Sequence, residues 1–243
     1  MSLVYVFAAS GMEGQPVKRI GMPSASKSSL RCGSHDVVLV TGAMGPKNAK
    51  NKAEAALSAS VSAARKPDLV LIIGLCGGLT ASLPEGTVVV YTECRSTEAA
   101  KPLFRCSEPI VDQVIEQLKS STLLWDRVVG ITSPRIATTG EQRLALSRFG
   151  AAVVDMESYS VLETAAAAGI PGAVVRVVSD SFDRKLPDFN RALNDDGGLD
   201  GRKALRVALG SPLRTARLLA ANKRAMRHLE RAVEIVLKSP CLA

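Results

Sequence analysis

The chain has 243 residues, 47% hydrophobic but only 4% aromatic, which suits one large α/β domain whose parallel strands are covered by Ala-rich helices. No apolar run approaches the ~20 residues that span a bilayer, so stable membrane insertion is not expected. The net charge of +8 would fit a polyanion. Much of that excess lies after residue 201, at helical Leu/Ala/Val spacing and without aromatics for base stacking. It reads as a solvated helix face, which argues against both nucleic-acid and membrane-surface binding. The histidines are His35 and His228 alone, too few for a His-rich metal site. Cys32, Cys76, Cys94, Cys106 and Cys241 contain no CxxC pair, so reduced thiols in the cytoplasm are the expectation.

In chain order, MSLVYVFAASG lacks a basic leader, and residues 3–9 read as a buried first strand followed by a loop over 10–14. Gly, Pro and Ser clusters over 15–35 predict turns or short antiparallel strands. Residues 36–40 form a second strand, and Pro46 opens a helix reaching about residue 65. The all-apolar run 69–73 is a central strand. It feeds GLCGGL, residues 74–79, read as a turn where backbone can approach a ligand closely. A strand over 87–91, a surface loop over 92–106, a helix at about 107–120 and a strand over 127–131 follow. A loop over 133–139 and a helix over 140–149 lead into the stretch that organises the rest.

That stretch is 151–183. A short apolar run, 151–154, ends in two carboxylates, Asp155 and Glu157, flanking Met156. A helix over about 158–168 is closed by Gly169, with Pro171 just beyond. A second apolar run, 173–178, ends in Ser179 and Asp180, with Asp183 beyond. Ligands of open α/β sheets bind outside such strand ends, so these acids mark a candidate site. Asp155 or Ser158 would also serve as an N-cap for the intervening helix. After Asp183 a loop reaches residue 200, and two helices split at residues 210–212 complete the chain. The whole, residues 1–243, reads as a single domain with a three-layer αβα architecture and a mostly parallel mixed sheet, its last part from about 184 a loop plus C-terminal helices. GLCGGL lacks the GxGxxG spacing, and GAMGPKNAK lacks the GK[ST] ending of a P-loop. Either remains a candidate cradle for an anion or a sugar.

Five pieces taken together resemble the purine nucleoside phosphorylase and uridine phosphorylase superfamily, in particular its nucleosidase branch. They are Val4–Glu13, TGAMG at 41–45, GLCGGL followed by PEGTVVV, VDME at 154–157 and VRVVSD at 175–180. The VDMES, DDGGLD and SPLRTARLLA segments also look like the hopanoid-biosynthesis-associated members.

The resemblance implies that Glu157 binds the ribose hydroxyls, a diol suited to charge-assisted bonds with a carboxylate. It implies that Met156 packs on the sugar and that Asp180 protonates the departing purine. Glu13 is the candidate to activate the attacking water, with Gln15 as the alternative at that position. Asp155, Ser179, Cys76, Gly77 and Gly78 complete the expected substrate-binding set. Breaking an N-glycosidic bond builds positive charge on the sugar and negative charge on the base, so an acid at the base and an anion at the sugar both help. Asp180 must hold a proton near neutrality or receive one with the purine. Leu75 stands where the family often carries a small polar residue, and Thr87 where it carries an aspartate. Anion binding would then rest on the backbone of 74–78, with Arg95 as a candidate cation. Purine nucleoside or 5′-modified adenosine cleavage by water or phosphate is therefore expected, in a homo-oligomer, without metal or organic cofactor and with phosphate as a candidate co-substrate. Removal of adenine from an adenosyl-hopanoid precursor and non-catalytic nucleoside binding are the alternatives.

Overall fold

The computed structural model describes residues 2–24, 29–62, 65–98, 100–195, 197–239 and 242. Cys241, and Asp196 of the DDGGLD segment, lie outside the described residues.

The central apolar run becomes the spine of a ten-stranded sheet among the described residues. That spine is β5 (Leu69–Gly78), and β1 (Leu3–Ala8) lies parallel beside it. β4 (His35–Val40) continues in parallel, and the short β3 (Leu30–Cys32) and β2 (Met22–Pro23) finish that edge antiparallel. The Gly/Pro/Ser-rich segment thus supplies the antiparallel strands its composition predicts, after a short helix, α1 (Gln15–Ile20).

On the other side of β5 the sheet closes. β10 (Gly172–Asp180) runs parallel to β5 and antiparallel to β6 (Val88–Ser96). β6 pairs in parallel with β8 (Trp125–Thr132), β8 with β9 (Val153–Asp155), and β9 returns antiparallel to β5. These five strands form a ring with no free edge, and β7 (Phe104–Arg105) pairs on the outside of β6. The surface loop expected over 92–106 is thus strand at its start and near its end: β6 extends to Ser96 because β8 offers it a partner along its full length, and β7 takes up Phe104 and Arg105.

All nine residues of β10 are buried, as a strand covered on both faces must be. The cover comes from α2 (Pro46–Ser62) packed on α5 (Ser158–Ala167), and from α7 (Pro212–Lys238), which gathers α1 and α3 (Glu108–Lys119). α4 (Gly140–Ser147) opens with a capping box between Thr139 and Gln142, which sets its first turn beside the ring. A 3-10 turn (Phe189–Ala192) interrupts the long loop after β10, and α6 (Gly201–Gly210) packs against it.

The glycine stretch differs from the expected turn. β5 runs straight through Gly74–Gly78, paired with β10 on one side and with β9 at Gly77 and Gly78 on the other. Glycine weakens a strand but lets side chains crowd its face. A Cβ on Gly74 would stand 2.7 Å from Glu13 Oε1, and one on Gly77 would stand 3.0 Å from Asp180 Oδ2. The glycines make room for the acids.

Candidate active site

The carboxyl ends of β5, β9 and β10 converge on a cavity of about 200 Å³. Glu13, Leu75, Cys76, Gly77, Met156, Glu157, Ser179 and Asp180 line it, with Met44 and Leu186 at its margins. Of the residues expected at a site, only Gly78 stands behind the wall, where its carbonyl accepts a bond from Arg143 Nη1 at 2.9 Å. Gln15 is exposed at the start of α1, whereas Glu13 is buried in the cavity wall.

One half of the cavity is organised by Arg176, in the middle of β10. It is 1% exposed and reaches three elements at once. Its Nη2 lies 3.1 Å from Glu157 Oε2, its Nε 3.3 Å from Asp155 Oδ2, and its Nη1 donates to the Leu75 carbonyl at 2.8 Å. Glu13 stands on the same side: Oε1 accepts the Leu75 amide at 2.8 Å, and Oε2 accepts both the amide and the hydroxyl of Ser10. Three buried carboxylates thus surround one guanidinium. Burial pushes the Glu157 carboxyl up to about 7, against the pull of Arg176, and the nearby Asp155 and Glu13 charges add to the rise. Burial works the same way on Asp155, but the Arg176 charge and the bonds from Ser158 and Thr132 outweigh it and hold that carboxyl below its usual range.

Asp155 borders the cavity, yet its oxygens are turned to the protein. Oδ1 accepts from Thr132 Oγ1 at 2.7 Å and from the Glu157 and Ser158 amides at 2.9 Å each, and Oδ2 accepts from Tyr91 at 2.9 Å. The bonds to the first amides of α5 are those of a helix-capping carboxylate. Asp155, grouped with the substrate-binding residues from its place in the sequence, has its hydrogen-bonding capacity taken up by the helix, the ring and Arg176.

The other half of the cavity is a pair. Arg143, fully buried on α4, sets Nη2 on Asp180 Oδ2 in a short ion pair. The Ser179 hydroxyl lies 2.6 Å from Asp180 Oδ1 and 3.1 Å from the Cys76 carbonyl. Cys76 contributes backbone rather than chemistry, because burial pushes its thiol well above the ordinary value. Cys32, Cys94 and Cys106 are likewise buried free thiols.

Neither arginine stood among the residues picked out from sequence. Arg176 carried a readable signal, a lone charge inside the apolar run 173–178, where burial demands a partner. Arg143 carried none: it looks like any polar residue of an exposed helix, and its partner is 37 residues away. Arg95, the candidate cation, lies outside this cavity and pairs with Glu93 at 2.6 Å. Thr87 closes the turn before β6 by donating to the Pro84 carbonyl at 2.8 Å, a structural duty.

A second cavity, of about 480 Å³, shares the wall Arg135–Ala137 with the first and is lined further on by Leu146, Phe149 and Asn190. Asn190 closes onto that wall with its carboxamide, accepting from the Ile136 amide at 2.8 Å and donating to the Ile136 carbonyl at 2.9 Å.

Comparison with known proteins bears on the family and the fold. A family model described as the phosphorylase superfamily matches residues 24–198, which leaves Glu13 ahead of the matched span. Among solved structures, the chain is similar to the 5′-methylthioadenosine/S-adenosylhomocysteine nucleosidase of Neisseria meningitidis in complex with methylthio-immucillin-A. The two are 15% identical over 98% of this chain and 99% of that one, with a TM-score of 0.74. Futalosine hydrolase of Helicobacter pylori is 13% identical over 96% of each chain, with a TM-score of 0.71. The corresponding nucleosidase of S. pneumoniae, with a transition-state inhibitor, is 16% identical over 97% of this chain and 98% of that one, with a TM-score of 0.70. At such identities the likeness to the solved structures is one of fold, the nucleoside phosphorylase-like fold expected from the sequence. With a family model matched over most of its length, the chain belongs to the phosphorylase superfamily and is an enzyme of that kind.

Proposed function

We propose that this enzyme hydrolyses the N-glycosidic bond of a purine nucleoside or a 5′-modified adenosine. The observation that carries the reading is the unequal charge of the cavity's two halves. Asp155 and Glu157 pair with one arginine on one side, with the Glu13 charge close by, and Asp180 has an arginine to itself on the other. A ribose seated at Glu157 and Met156 has its growing positive charge beside the acid-rich half. The base lies toward Asp180. As the C1′–N bond breaks, its electron pair leaves with the purine, which takes up a proton at the Asp180 end. Water adds to C1′, and Glu13 accepts the proton it gives up. Glu13 is held for this by three donors, which fix its orientation.

Water is favoured over phosphate by the same charges. Glu13 and Glu157 flank the face from which the nucleophile would come, and an anion there meets like charge in a poorly solvated site. Leu75 adds an apolar side chain to the same cavity. The comparisons point the same way, since the similar solved structures are described as nucleosidases and a hydrolase. A second reading, adenine removal from an adenosine carrying a lipid such as a hopanoid, is favoured by the adjoining cavity of about 480 Å³, which offers room beyond a simple nucleoside.

Base release from adenosine, inosine, methylthioadenosine and adenosylhomocysteine, each with and without phosphate, tests this. The expected result is free base and free pentose at rates independent of phosphate. Ribose 1-phosphate formed only with phosphate would make the enzyme a phosphorylase. Release from a lipid-linked adenosine alone would select the second reading, and binding without any turnover would leave a nucleoside-binding protein.

A further inference from the structure

Helix α6 and the first half of α7 present a surface that the fold does not use. α6 has no buried residue; Ala204, Val207 and Ala208 turn half-buried toward the 3-10 turn. The opposite side sets Leu205 and Leu209 one helical turn apart, beside Arg202 and Arg206 at the same spacing. Leu205, Leu209, Leu213 and Leu219 are 60%, 71%, 75% and 62% exposed. Single exposed leucines are ordinary, but Leu205 and Leu209 share one face of α6, and Leu213 follows just past the break at Ser211.

The charge on that surface is predominantly positive. Between Asp200 and Glu230 the chain carries eight Lys or Arg residues and no Asp or Glu. A cleft where α7 meets the loop after Asp180 adds Lys185 to Arg214 and Arg217, with Asp183 the one carboxylate among them. Arg184 and Arg224 at the same cleft are held by Glu85. Lys185, Arg214 and Arg217 have no ion-pair partner among the described residues.

We propose that this helix pair docks on an anionic lipid surface, with Leu205, Leu209 and Leu213 entering the acyl boundary and Arg202, Arg206, Arg214 and Arg217 meeting lipid phosphates. Leucines interleaved with cations on a short helix are the mark of a segment lying in a membrane interface. No helix of the described residues is long and apolar enough to cross a membrane, so the contact is peripheral. A second copy meeting this patch across a twofold axis would place cation against cation. A nucleic acid would leave the leucines in water, and residues 201–239 contain no Phe, Tyr or Trp to stack on a base. The surface backs the 3-10 turn whose Asn190 and Arg191 line the outer cavity, so docking brings that cavity near the lipid.

The full chain is sedimented with vesicles of phosphatidylcholine alone and of phosphatidylcholine mixed equally with phosphatidylglycerol. Binding to the mixed vesicles is expected to be about tenfold stronger and to fall with added salt. The variant Leu205→Ser/Leu209→Ser/Leu213→Ser is expected to lose most of that binding while keeping the wild-type far-UV dichroism and thermal midpoint, because these side chains are exposed. Arg214→Glu/Arg217→Glu is expected to lose it too. Equal or absent binding to the two vesicle types overturns the proposal, as does wild-type binding by either variant. Light scattering that shows the leucine variant falling from an oligomer to a monomer, without vesicle binding by the wild type, would assign the surface to a second copy. Binding of a duplex oligonucleotide in place of vesicles would overturn it as well.

Discussion

The two halves of the cavity use the same device, a buried arginine holding a carboxylate at a strand end, to opposite electrostatic effect. Around Arg176 three acids compete for one cation, and the balance is met by raising the Glu157 carboxyl to about 7. Around Asp180 the count is one to one. The first half is biased toward stabilising positive charge, and the second presents a single acid whose orientation Arg143 and Ser179 fix from both oxygens. On the proposed function, a site for breaking a bond between sugar and base need not differ in residue type at its two ends. It differs in how many acids each arginine serves.

The difference between the two halves is largest at Asp180. Asp180→Asn keeps the shape and an acceptor for Ser179 but removes the proton route to the base. The expected loss in kcat is about 10²–10⁴-fold, with nucleoside affinity largely kept. A kcat within tenfold of wild type would take the acid role away from this residue.

Arg176→Met tests the crowded half through stability. It leaves Asp155 and Glu157 buried without their cation, and removal of one partner of a buried ion pair costs about 3–5 kcal/mol. Urea unfolding, followed by tryptophan fluorescence from Trp125, should show a midpoint lowered accordingly. A change under about 1 kcal/mol would mean that the acids are neutral without the arginine.

The smallest effect is one of pH. On the proposed function the ribose diol is bound by ionised Glu157, whose carboxyl sits at about 7, so KM for a ribonucleoside should fall as pH rises through that value. Glu157→Gln should bind weakly with no such step. Stability runs the other way. The folded chain holds a proton on Glu157 where the unfolded one, at its ordinary 4.5, has lost it. This group's contribution is therefore greatest at low pH and declines as pH climbs from about 4.5 to about 7, relative to Glu157→Gln. A KM that stays flat across neutrality in the wild type would place the diol elsewhere.

Much of this was legible from the chain. Asp155, Glu157 and Asp180 announce themselves because each ends an apolar run, and the polar residue that closes a buried strand has few places to go but the sheet's rim. Glu13 was legible only as one of two choices, because a loop register is set by what it packs against. The Leu75 amide and the Ser10 hydroxyl select Glu13. Arg143 was silent, since nothing local distinguishes a helix arginine bound for solvent from one bound for a carboxylate on another strand.

Local sequence sets the alternation of strands and helices, the split between the last two helices and the delivery of acids to strand ends. Those are consequences of local periodicity and of breakers such as Gly169 and Pro212. Only the tertiary structure decided that β5 runs on through its glycines, that five strands close into a ring, and that Asp155 turns inward while Glu157 faces the cavity. Each of these depends on partners far away in the chain. A glycine strand is held by the strands on either side of it, and a buried carboxylate takes its role from how many donors and charges converge on it.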